Sequence, residues 1–118
     1  MSTLKNKTDD IKAKDPLDIL IHEKGLRIKS VIIDKELDLI GIILNNGRIV
    51  EAKISHFSLL KDADMKQLEG WRLIGGGIGI SWEELNEDLS VKGFIETAAI
   101  NEMLEHLQTP SGSKRFSA

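Results

Sequence analysis

The sequence predicts an α+β fold: a small antiparallel sheet of about five short strands, short helices packed on one face, and a carboxyl-terminal helix. Three observations predict it. Two runs rich in Ile, Leu and Val, Leu26 to Ile33 and Leu37 to Leu44, are separated only by Asp34-Lys35-Glu36, which reads as two strands and a tight turn. Asn46-Gly47 then suits the positive φ angles of a two-residue type I′ turn, and the return strand alternates Val50, Ala52 and Ile54 with Glu51 and Lys53. Finally, 118 residues with 41% hydrophobic and 30% charged side chains match one globular domain, since two would each be marginal.

Residues 1–14 are polar, with Lys5, Lys7, Lys12 and Lys14 among Asp9 and Asp10, and are expected to form a flexible arm. The domain is expected over residues 15–108. Asp15-Pro16 supplies an N-cap and a first helical residue, Leu17, Ile19, Leu20 and Ile21 follow, and Gly25 can close this short helix. After the three strands, Asp62 to Glu69 reads as a second short helix ending at Gly70. Trp71 to Ile74 and Ile78 to Trp82 read as strands flanking a glycine loop, with both tryptophans buried. Beyond Ser90 the apolar residues change phase. At 100° per residue Val91, Phe94, Ile95 and Ala98 share one side of a helix, whereas Ile100, Met103, Leu104 and Leu107 lie about half a turn away. A short helical turn, a break near Ala98 and a second helix over residues 97–108 are therefore expected, ended by Thr109-Pro110 and a flexible tail over 109–118. The second stripe, Ile100, Met103, Leu104 and Leu107, is a candidate interface.

Composition excludes several classes. With no cysteine there is neither a disulfide framework nor a thiolate metal site, which fits a reducing compartment, and the cytoplasm is the default location. Neither a signal peptide nor a membrane span is expected, and a formal charge of -3 offers no basic patch for direct nucleic-acid binding. Gly75, Gly76, Gly77 and Gly79 lack the Lys and Ser or Thr of a phosphate loop, and no basic residue lies between Arg72 and Lys92. These glycines, with Gly47, are read as structural turn residues. Glu83, Glu84, Glu87 and Asp88 follow them as hard oxygen donors, but without the spacing of a calcium loop; they read instead as a solvated, partly helical face and a candidate partner-binding surface. Ser55 beside His56 has no evident Asp to orient the imidazole, so no catalytic site, metal or cofactor is expected.

The run WRLIGGGIGISWEELNEDLSVKGFI, with NNGRIVEAKISHFSLLKDADMKQLEG before it, resembles the bacterial family catalogued as domain of unknown function 2442, over about residues 26–95. The features that carry the resemblance are Ser55, Phe57, Trp71, the glycines, Ile80, Trp82, Leu85 and the stretch from Glu87 to Val91. This chain departs from the family pattern at His56 (usually Trp), Ser58 (often Pro), Ser81 (usually His), Glu83 (Pro) and Asn86 (commonly Asp). Family members are sometimes followed by a helix-turn-helix domain, and many are encoded beside a second small protein, as toxin-antitoxin pairs are. The resemblance thus implies a non-enzymatic, acidic, antitoxin-like or regulatory partner of a small basic protein. A self-associating module using the sheet edge or the last helix is one alternative. A small-molecule binder at the glycine loop and Trp82 is another.

Overall fold

The computed structural model describes residues 15–108; the expected arm over 1–14 and tail over 109–118 lie outside the described residues. The α+β class stands, but the strands among the described residues number six and fall into two three-stranded antiparallel sheets rather than one sheet of about five. In the first sheet β1 (Ile28–Asp34), β2 (Leu39–Leu44) and β3 (Ile49–Lys53) form a meander, with β2 in the centre. In the second, β4 (Trp71–Ile74), β5 (Gly79–Trp82) and β6 (Glu87–Ser90) repeat that arrangement around β5.

The polar segment expected to be a solvated or helical turn is in part β6. Glu87 and Asp88 have weak strand propensity, but pairing of Trp82 with Glu87 and Ile80 with Leu89 overrides it. Asn86, left-handed at φ +55, reverses the chain after a 3-10 turn over Glu83–Leu85.

The β2–β3 hairpin is present, though its turn differs from the expected type I′. Only Gly47 has positive φ (+89); its N–H donates to Leu44 O at 2.9 Å while Leu44 N–H donates to Arg48 O at 2.8 Å. That is a three-residue loop, a type I turn closed by a glycine bulge. Asn45 explains the extra residue: it exchanges bonds with Arg27 through backbone and side chain, and its amide donates to Gly25 O, so it is held in place from across the sheet.

Ahead of β1, a helical turn α1 (Pro16–Asp18), capped by Asp15 Oδ1 accepting Leu17 N–H at 2.8 Å, widens into a π turn over Ile19–Glu23. Gly25 (φ +74) ends it. A second helical turn, α2 (Met65–Leu68), carries a capping box in which Asp64 and Gln67 satisfy each other's backbone N–H, and this is the helical part of the segment expected to be a helix over 62–69.

The two sheets share one core. Ile28 and Val31 of β1, Ile40, Ile42 and Leu44 of β2, and Ile80 and Trp82 of β5 meet Phe57, Leu60 and Leu68 from the connection and Val91 and Phe94 from the last helix. Trp82 is completely buried, and its indole Nε1–H donates to Leu68 O at 2.8 Å. Trp71, expected to be buried as well, is only half-buried, because it lies on β4 at the edge of its sheet.

That last helix, α3, runs unbroken over Val91–Gln108. The expected break near Ala98 does not occur. One helix need not bury only one stripe, and α3 keeps two stripes on opposite sides of one continuous helix.

Candidate binding surfaces of the carboxyl-terminal helix

Helix α3 begins where β6 ends. Ser90 Oγ accepts Gly93 N–H at 2.9 Å and Val91 N–H donates to Ile78 O at 2.9 Å, so the first turn is capped and tied to the second sheet. Val91, Phe94 and Ala98, at helical spacing, are buried on the inner face, and Phe94 stacks on Phe57 with centroids 5.3 Å apart. Lys92 reaches Asp18 at 3.0 Å and Asp15 at 3.3 Å, joining α3 to the amino-terminal turn. The Asp18 carboxylate, then Asp15, holds the ammonium above its usual range against some desolvation.

The next residues on that inner face are Glu102 and Glu105, which run out over β3, and Glu105 bridges to Lys53 at 3.1 Å. Half a turn around, Ile100 (56% exposed), Met103 (60%), Leu104 (44%) and Leu107 (75%) form an apolar stripe open to solvent. None of the four contributes to the core. The helix thus has an anchored face and a free one.

Between β3 and α3 lies an open groove of 540 Å³, within the range of about 300–1,000 Å³ typical of ligand sites. Ile49, Glu51, Ala52 and Lys53 form its strand side, and Ala98, Asn101, Glu102 and Glu105 its helix side. The β1–β2 turn closes one end with Leu37, Asp38 and Leu39, beside His56. Four carboxylates thus face one ammonium across a partly apolar floor.

Asp38 is left-handed at φ +55 and clamps the end of β3: Oδ1 accepts Ser55 N–H at 2.9 Å and Oδ2 accepts Ser55 Oγ–H at 2.5 Å. The Ser55 hydroxyl bond holds its carboxyl below the usual range against some desolvation, with the Ser55 N–H and the charges of Lys53 and His56 adding to the effect. This Asp, missed in the sequence, engages Ser55 and not the imidazole. The Ser55 proton is already committed to a carboxylate, and His56 Nδ1 is buried without a hydrogen-bond partner.

The acidic set expected to bind a partner lies elsewhere. Glu83 and Glu84 are exposed in the turn after β5, Asp88 is exposed on β6, and Glu87 is half-buried there, its Oε1 accepting Asp88 N–H at 2.9 Å. Ile100 is about 14 Å along the helix from Val91, the residue that follows this acidic segment. No group of three or more His, Asp or Glu able to hold a metal is found among the described residues.

The glycine loop has a fold role. Gly75, Gly76 and Gly77 all have positive φ (+60, +68 and +104), and a Cβ on Gly77 would lie 2.3 Å from Ile28 O. Gly77 O in turn accepts Ile28 N–H at 2.7 Å, so the loop joins the two sheets at the start of β1. Gly79 has ordinary φ but lets Leu89 O come within 3.1 Å of where a Cβ would stand. Among the described residues no helix is long and apolar enough to cross a membrane.

Two antiparallel meanders on one core, the second docked on the first through its triple-glycine turn and followed by a two-faced helix, define a small α+β module. Residues 28–99 match the model of the family described as protein of unknown function (DUF2442), and the chain belongs to that family. Two solved structures are similar. A protein of unknown function from Rhodospirillum rubrum, in a crystal structure, is 26% identical with a TM-score of 0.55, covering 61% of this chain and 87% of that one. An uncharacterized protein from Chromobacterium violaceum, solved by NMR, is 24% identical with a TM-score of 0.57, covering 82% of this chain and 95% of that one, and shares the fold. No curated protein matches.

Proposed function

We propose that this protein is a non-catalytic binding module whose outer α3 face seats a protein partner, in the manner of an antitoxin or regulatory subunit of a small basic protein in the cytoplasm. The observation that carries the reading is the solvent-exposed stripe of Ile100, Met103, Leu104 and Leu107 on a helix already anchored through Val91, Phe94 and Ala98. Apolar residues at i, i+3, i+4 and i+7 are the pattern by which one helix seats in another protein's groove. They have no role in this chain's own core. Glu96 stands beside the start of the stripe, and the chain's net charge of -3 favours a basic partner over a second copy.

Tagged protein expressed in its native host tests the reading. A small basic protein recovered at equal stoichiometry, and lost from the Leu104→Ser/Leu107→Ser variant, supports it. A homodimer lost in the same variant would replace it with self-association. Retention of the partner by the variant would move the interface off α3.

A further inference from the structure

A second binding surface, independent of the outer α3 face, follows from the hydrogen-bond parity of β3. Leu44 N–H donates to Arg48 O and Ile54 N–H donates to Asp38 O, at the two ends of the β2–β3 ladder. The register between them is unbroken, with Ile43 opposite Ile49 and Leu39 opposite Lys53. Bonded and non-bonded pairs alternate in an antiparallel ladder, so Val50 and Ala52 turn their backbone groups to β2. Ile49, Glu51 and Lys53 turn theirs to the outer edge, where no other described residue pairs with them. β3 is the last strand of its sheet, and these three residues are the ones that, with Ala52, form the strand side of the groove beside α3.

We propose that this edge takes up an extended peptide segment of a partner protein, added as a fourth strand along β3 and carrying basic side chains into the groove. Unpaired N–H and C=O groups in a row select an extended polypeptide over a compact ligand, because only a backbone can satisfy them in sequence. Five residues of β3 span about 17 Å, enough for a segment of similar length.

The charge of the groove selects the sign of the guest. Glu51 and Glu102 are exposed and engage no other described residue, while Lys53 is occupied by Glu105. The exposed Leu37 and Ile49 offer apolar contact to the alternate side chains. A second copy fits poorly, since antiparallel self-pairing centred on Glu51 sets that carboxylate against its own copy.

Three capped octapeptides titrated into the full chain provide the test: alternating Val-Lys, the Val-Glu counterpart, and Val-Lys N-methylated at every second backbone nitrogen. Saturable binding of the first is expected, with slowed amide exchange at Ile49, Glu51 and Lys53. Affinity should fall at least about tenfold for each of the other two peptides, and for Glu51→Lys/Glu102→Lys with the first, the scale of one lost charge-assisted contact. Leu104→Ser/Leu107→Ser should bind the first peptide unchanged, which separates this surface from the outer face of α3. Absence of binding, equal binding of the Lys and Glu peptides, or protection elsewhere would overturn the proposal and leave Glu51 and Lys53 as guards of a bare edge.

Discussion

Gly77 is where the backbone is least forgiving. It combines φ +104 with an Ile28 carbonyl 2.3 Å from any added Cβ, while Gly76, at φ +68, has nothing within 4 Å of its own. Gly76→Ala should therefore cost about 1–2 kcal/mol, the left-handed penalty alone. Gly77→Ala should cost distinctly more, because the sheet junction must also move. Urea unfolding of the two variants checks the order, and equal midpoints would refute the junction role. Asp38 provides a second residue-scale test. Its folded carboxyl titrates below its unfolded value of about 4, so its stabilising contribution is complete above that pH and lost as pH falls through the lower folded value. Asp38→Asn should flatten the acid decline of the urea midpoint, and an unchanged acid limb would show that the Asp38–Ser55 clamp adds nothing to stability. For the tryptophans, iodide should quench the indole left in Trp82→Phe, which is the half-buried Trp71, far more than the buried Trp82 left in Trp71→Phe.

Among the elements, those whose signals are local were legible in the sequence. Asn46-Gly47 announces a hairpin and Asp15-Pro16 a helix start because turn and cap chemistry lie within a few residues. Strand β6 was not legible, since Glu87-Asp88-Leu89-Ser90 becomes a strand only through its pairing with β5. The two sheets meet through a backbone bond between Gly77 and Ile28, 49 positions apart in the chain, which no local pattern encodes. The groove was hidden for the same reason: Asp38, Glu51 and Glu102 come from a turn, a strand and a helix. In α3 the phase change was readable and its meaning was not. Half a turn between stripes is compatible with a break or with one helix facing two ways, and packing decides. Continuity has a dynamic consequence. Amide exchange should be slowest around Phe94 and Ala98 and rise progressively over the last two turns, whose side chains are largely exposed. A sharp jump in exchange at Ala98 with fast exchange beyond it would restore the broken helix.

At the scale of the whole molecule, one core serves two meanders, and α3 carries the inner packing to the outer surface. Removing exposed side chains from its free face should leave stability within about 0.5 kcal/mol, whereas removing Phe94 should cost about 3–5 kcal/mol. The two faces thus differ in what they do, because a stripe that the fold does not need is available to a partner. The most direct measurement is a paired one on Leu104→Ser/Leu107→Ser: thermal melting of the isolated chain, and recovery of the native partner by the tagged chain. An unchanged melting transition and loss of the stoichiometric partner are expected; cooperative unfolding of the variant at markedly lower temperature, or full retention of the partner, would refute a free outer face that seats the partner.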